Sequence, residues 1–230
     1  MAALVRAMAG GAAARGKLLG VKGEALAAAT TANREVVTAP TLPAIERYTG
    51  VLYDALEHAS LSSMAQRRAA RQVRILSGLW GVVAPGDPIP DYKLKMGASL
   101  KVIGKLSTWW RPAVTEALAA ELRGRAVWDL LPNEHRAAWV PDLAGPGAPR
   151  VVISVRFADV VRRDGRTELV TVAHWNKLLK GALVRHVLVT QLADVDGLAE
   201  FEHPLGYVYE PGLTEWDPDG LRVTATLVRR

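Results

Sequence analysis

Apolar residues recur at helical spacing in STWWRPAVTEALAAELR (107–123), which predicts the clearest helix of the chain. Ser107 is its expected N-cap, and Pro112 is expected in the first turn or as a bend. Shorter helical patterns cover 2–9, 24–35 (opened by Glu24 and rich in Ala), 51–58, 63–72 and 133–139, and a longer one runs from 176 to about 191. Two compact apolar runs, QVRILSG (72–78) and AVWDLL (126–131), suit buried strands. RVVISVRFADVV and ELVTVAHW alternate as strands do, and RRDGR between them reads as a hairpin turn. Two late strands are expected near 206–210 and 221–228, a Pro-bracketed link at 40–43 and a proline loop at 84–92. No βαβ unit repeats. The pattern therefore predicts a mixed α/β (α+β) fold, a compact single domain over 1–230 with a mixed β-sheet surrounded by helices.

Composition narrows the function classes. Half of the 230 residues are apolar and 23% are charged, as in ordinary globular chains. The absence of cysteine removes disulfide scaffolds, thiol chemistry and cysteine-ligated zinc, and fits a cytoplasmic setting. No apolar run approaches the ~18 residues that a membrane span needs. The first 23 residues lack any acid, but their glycines argue against a targeting helix. A net charge of +6 and a pI near 9.8 favour an anionic partner. The charge is polarised. Lys93, Lys95, Lys101, Lys105 and Arg111 fall in an acid-free stretch (92–112), whereas 194–219 is rich in Asp and Glu. A solvated basic surface without a ligand is the competing reading.

Several motifs carry chemistry. GAAARGKL (11–18) has the spacing of a phosphate loop, but Leu18 stands where a magnesium-binding hydroxyl belongs and no strand precedes it, so that reading fails. LLGVKGEALAA (18–28) reads as two helices joined by a glycine turn, a helix-hairpin-helix-like element over 15–35. Gly20 and Gly23 supply the turn, and Lys17, Lys22 and Arg34 the charge, for gripping one DNA phosphate without reading bases. A plain helix connection stays open. Ser77 follows a strand, but LSGLWG is not a nucleophile elbow, and a serine bonded to backbone is the better reading. Asp87 and Asp91 flank Pro88-Ile89-Pro90; they suit turn chemistry and are too few for a metal. The five histidines show no metal spacing, and His174 reads as structural, so no metal or cofactor is expected. In HWNKLLKGALVRHVL (174–188), Asn176, Lys177, Lys180 and Arg185 form the start and one face of a helix. Lysines there oppose the helix dipole, a cost that a bound anion would remove. A basic outer stripe on a core helix is the alternative.

RILSGLWGVVAPGDPIPDYKLKMG (74–97) resembles the signature of the YaaA peroxide-stress family, with Ser77, Leu79, Trp80, Gly81, Pro85, Asp87, Tyr92, Lys93, Leu94, Met96 and Gly97 at matching spacing. RYTGVLYDAL (47–56), TWWRP (108–112), DLLPNEH (129–135) and HWNKLLKGALVR (174–185) are similar to further family segments. The resemblance runs from about residue 15 to the C-terminus. Relative to the family the chain is expected to begin inside the domain, without an N-terminal strand and its lysine loop. The resemblance implies a compact α/β fold with a positive cleft, DNA binding, and a role in limiting oxidative damage linked to iron. It sets Tyr92, Lys93 and Lys95 on a rigid loop at the cleft wall.

Two functions of different class follow, with a purely structural or interaction role behind them. In the first, the protein is a cytoplasmic stress-response protein that binds DNA through phosphates with little sequence preference. Its contacts come from Lys17, Gly20, Lys22, Gly23, Arg34 and the basic surface that includes Lys93, Lys95 and Arg111. In the second, it is an enzyme on a small anionic or nucleotide-like substrate. Lys93, Lys95, Lys177, Lys180 and Arg185 would hold the anion, and Asp87, Tyr92 or Glu134 would move protons. A lysine amine such as Lys177, depressed by its neighbours, is the candidate nucleophile.

Overall fold

The computed structural model describes residues 1–163, 166–172, 175–203 and 205–230. Three helices come first: α1 (Ala2–Ala7), α2 (Ala12–Leu19) and α3 (Gly23–Glu35). They are followed by β1 (Thr41–Pro43), α4 (Ala44–Arg47), α5 (Val51–Leu56) and α6 (Ser63–Gln72). The middle of the chain forms β2 (Ile75–Ser77), β3 (Gly81–Val83), β4 (Pro88–Pro90), β5 (Ser99–Leu100), β6 (Gly104–Lys105) and α7 (Leu106–Leu122). Then come β7 (Ala126–Asp129), α8 (Asn133–Arg136), β8 (Val151–Arg163), β9 (Arg166–Thr171), α9 (Asn176–Thr190), β10 (Val208–Tyr209), β11 (Glu215–Trp216) and β12 (Arg222–Arg229). The elements form a mixed α/β fold, divided into two compact units through which the chain passes more than once. The first comprises 1–48, 70–118 and 131–140, and the second 49–69, 119–130 and 141–230.

The second unit is built on the large sheet. Its order is β10-β12-β8-β7, with β11 added to β12 and β9 to β8. β8 runs parallel to β7 and β12 and antiparallel to β9, so the sheet is mixed. β8 is central, and its consecutive Val151, Val152 and Ile153 are all buried, as expected of a strand covered on both faces. Phe157, Leu179, Leu183, Leu198, Phe201, Tyr207, Val223, Ala225 and Leu227 form the core beside it. Gly181 lets α9 lie close on α5, where a Cβ would strike the Leu52 carbonyl. Arginines close the helix ends: Arg68 donates to the Leu188 carbonyl (2.7 Å) at the end of α9. Asp159 binds Arg229 (2.8 Å) across the β8–β12 register and accepts from the Tyr207 hydroxyl (2.7 Å).

The first unit has no such sheet. Its strands form three separate antiparallel pairs, β1–β4, β2–β3 and β5–β6. A small core of Ala44, Val83 and Ile89, with Tyr48, Ile75, Trp80 and Tyr92 packed on it, holds the proline loop.

Several sequence expectations change here. The 40–43 link is strand β1, because Thr41–Pro43 pairs with Pro88–Pro90 of the loop. The strand expected over 72–78 is confined to Ile75–Ser77. α7 begins one residue before Ser107, whose hydroxyl is buried without a hydrogen-bond partner among the described residues. Ser107 is therefore no N-cap. The helix is instead started by Leu106 and Ser107 amides donating to Ala98 and Met96 carbonyls, and Pro112 lies inside it. β8 and β9 form the expected hairpin, while residues 164–165 of its RRDGR turn, and His174, lie outside the described residues.

Candidate functional site

The helical pair α2–α3 is the starting point. GAAARGKL is helical, consistent with its failure as a phosphate loop. Gly20 ends α2 in the left-handed region (φ 68°), its amide returning to the Gly16 carbonyl. Lys22 is the N-cap position of α3, and Gly23 opens it. Lys17, Gly20, Lys22 and Gly23 are all exposed on this turn. Arg34, at the far end of α3, donates to the Met8 carbonyl (3.0 Å), which ties α3 back to α1.

The basic strap at 92–97 lies against this pair. Asn33 is completely buried in α3, and its amide reads the strap's main chain in both directions. Nδ2 donates to the Lys93 carbonyl (2.9 Å), and the Lys93 amide donates to Oδ1 (2.8 Å). Two residues on, the Lys95 side chain covers Gly20, where an added Cβ would lie 2.6 Å from Nζ. Leu94 and Met96 alternate inward and are buried, so Lys93 and Lys95 point to solvent. The turn lysines and the strap lysines, 70 or more residues apart in sequence, thus share one mount.

The loop leading to the strap is fixed by a row of hydroxyls. The Ser77 hydroxyl accepts from the amides of Leu79 (3.2 Å) and Trp80 (3.0 Å), as expected for a backbone-bonded serine. It also bonds the Tyr92 hydroxyl at 2.6 Å, which in turn bonds the Tyr48 hydroxyl at 2.6 Å. With two amides occupying its lone pairs, Ser77 is left to donate towards Tyr92. Asp87 is a turn former: its carboxylate accepts from the Ala84 amide (2.8 Å), and its own amide donates back to the Ala84 carbonyl (3.1 Å). Glu134 lies over Gly97, its carboxylate where a side chain on Gly97 would be, and 4.0 Å from His135. Burial holds the His135 imidazole below its usual value, against the opposing pull of Glu134. Arg111 is exposed and its Nε donates to the Ala137 carbonyl (2.9 Å).

The remaining predicted residues belong to the second unit. Asn176 opens α9 and Lys177 is exposed in its first turn. Lys180 donates to the Leu130 carbonyl (3.1 Å). Arg185 reaches the carbonyls of Leu56 and Glu57 (both 3.1 Å) and the Ser60 hydroxyl (2.9 Å), closing the end of α5.

Asn33 and Tyr48 were not singled out by the sequence reading. A polar residue inside the Ala-rich run of α3 is the available signal for the first, and the place of Tyr48 in the family-like segment RYTGVLYDAL (47–56) is the signal for the second. Among the described residues no helix is long and apolar enough to cross a membrane.

Comparison with known proteins gives these features a context. The family model for peroxide stress protein YaaA matches residues 3–213. A UPF0246 protein of Streptomyces coelicolor is 40% identical over 190 residues, covering 81% of this chain and 69% of the relative. Another, from Corynebacterium glutamicum, is 36% identical over 179 residues, covering 76% and 66%. A third, from Dinoroseobacter shibae, is 37% identical over 174 residues, covering 74% and 62%. These matches span about two thirds of the relatives' own length. The chain therefore belongs to the YaaA family of peroxide stress proteins.

Proposed function

We propose that this protein binds DNA through its phosphates, with little sequence preference, as part of a cytoplasmic response that limits peroxide damage. The observation that carries the reading is the shared mount of the α2–α3 turn and the 92–97 strap. It presents Lys17, Lys22, Lys93 and Lys95 to solvent on a backbone held by Asn33 and Gly20. Charge supports it. The first unit contains fourteen Lys and Arg against seven Asp and Glu, a net +7, while the second contains fifteen against sixteen, a net −1. The chain's whole positive excess is therefore on the unit with the helical pair. Fixed cations lose less entropy on meeting a phosphate than mobile ones do.

The test is anisotropy of labelled duplex DNA at several salt concentrations. The expected log–log slope is about −0.9 for each phosphate neutralised. A Lys17→Ala/Lys22→Ala double variant is expected to make that slope shallower by about 2 and to weaken binding equally on unrelated sequences. Folded protein that leaves duplex DNA unbound at low salt would end this reading.

A second reading, an enzyme on a small anionic substrate, draws support from the Ser77–Tyr92–Tyr48 row, a directed chain of hydroxyls next to the strap lysines. There Tyr92 would be the proton-moving group, with Lys93 and Lys95 holding the anion. Tyr92→Phe, which keeps the ring and removes the hydroxyl, would abolish turnover of such a substrate and leave duplex affinity unchanged.

A further inference from the structure

Trp109 is 48% exposed, one of three exposed tryptophans among the described residues with Trp175 and Trp216. It is also rigidly backed. Its ring meets that of Trp110 edge-to-face, at 4.5 Å between centroids and 77° between planes. Trp110 is locked in turn: its indole N–H donates to the Gly78 carbonyl (3.0 Å), and its ring lies so close over Gly81 that an added Cβ would sit 2.7 Å from it. An edge-to-face contact leaves at least one face of the Trp109 indole uncovered by its neighbour.

The flanking sequence is basic. Lys105, exposed, closes β6 immediately before α7, and Trp109 lies in the first turn of that helix. Arg111, two residues on and therefore on another side of the helix, is exposed and steadied by the Ala137 carbonyl. No acid occurs between Tyr92 and Arg111, and the next along the helix is Glu116, about two turns from Trp109.

An exposed, preorganised indole in a basic, acid-free stretch is suited to accept a nucleobase on its face while the charges of the same unit track the attached phosphates. We propose that Trp109 is a stacking platform for an unpaired base, so that the preferred target of this protein is DNA with a short single-stranded gap. The proposal rests on the DNA-binding reading above and adds to it a base contact that phosphate binding does not require. Duplex bases are already stacked on one another and offer no face to Trp109.

The experiment compares an intact labelled duplex with the same duplex carrying a central five-nucleotide gap, by anisotropy at fixed salt, for wild type, Trp109→Ala and Trp109→Phe. The gapped duplex is expected to bind more tightly. Trp109→Ala is expected to weaken gapped binding about tenfold, within the range for one stacked base, and intact binding less than about twofold. Trp109→Phe keeps an aromatic face and is expected to retain most of the gap preference. A 2-aminopurine placed in the gap reports stacking directly, through quenching by wild type that Trp109→Ala loses. Intact binding with no gap preference, or equal losses on both DNAs, overturns the stacking proposal and leaves phosphate binding standing. Failure of both DNAs to bind at low salt overturns the two together.

Discussion

Six of the eight lysines fall in the first unit and each is exposed, whereas thirteen of the second unit's fifteen positive residues are arginines, several of them tied to its own carbonyls and carboxylates. Arg68 and Arg185 close helix ends; Arg150 donates to the Ala193 carbonyl; Arg156, Arg229 and Arg230 pair with Glu215, Asp159 and Glu210. The number of positive residues is nearly equal, fourteen against fifteen, so the count does not separate the units. What separates them is the acids, seven against sixteen, and the share of lysine, six against two. A guanidinium forked between carbonyls is already satisfied, while a lysine ammonium on an exposed stem keeps its charge for something outside. The cores differ to match: the second unit buries a continuous apolar cluster beside a six-stranded sheet, and the first relies on paired strands and on polar grips such as Asn33.

This contrast can be broken at several points. The largest effect is expected in the second unit's core. Leu183→Ala, at a fully buried position, should cost about 2–5 kcal/mol in urea unfolding. Duplex affinity of the folded fraction should not move, and a changed salt slope would mean that the division of labour is wrong. Asn33→Ala comes next. It leaves the Lys93 amide and carbonyl unpaired and should cost about 1–3 kcal/mol. Unlike the core variant it should also weaken DNA binding, because the strap loses its anchor; stability lost with affinity kept would detach the strap from the ligand. Lys177→Ala is the smaller, complementary probe: within about 0.5 kcal/mol in stability, and a slope change no greater than one phosphate contact. A loss as large as that of the Lys17→Ala/Lys22→Ala pair would bring the second unit into the binding surface.

The smallest effect is expected from pH. Burial holds His186 and His203 of the second unit, and His135 of the first, below the usual imidazole value of 6.5; Glu200 and Glu134 oppose it at His186 and His135. An imidazole that resists protonation in the fold binds fewer protons than in the unfolded chain. Stability therefore rises with pH through the window below 6.5 and falls on acidification. For Asp159, burial acts to raise the carboxyl, but the Tyr207 hydrogen bond and Arg229 outweigh it and hold it below the usual 3.8. Its stabilisation is present above that value and lost as pH falls beneath it. Both effects weigh on the second unit, so the urea midpoint should decline from pH 7 to 5 and again below 4. A midpoint flat across both windows would remove these groups from the account.

Much of the second unit was legible because its elements are long and periodic. β8, β9 and α9 announce themselves by spacing; in the first unit the loop lysines do so by their chemistry. β1 was not legible: three residues gain a strand only by pairing with Pro88–Pro90, some 47 positions away, and prolines advertise loops. The start of α7 was misjudged for a related reason. Ser107 has the right side chain for a cap, but the Ala98 and Met96 carbonyls had already captured the first amides. The same limit hid Asn33, whose partner lies 60 residues on and is a main chain with no residue type to recognise.

That last contact has a consequence for how this surface can vary. Asn33 holds the strap by its peptide groups and is indifferent to the side chain at 93. Mutation there can exchange one outward group for another while the mount stays in place. The strap is thus a socket with replaceable fittings, whose outward chemistry can change without the chain having to relearn how to fold it.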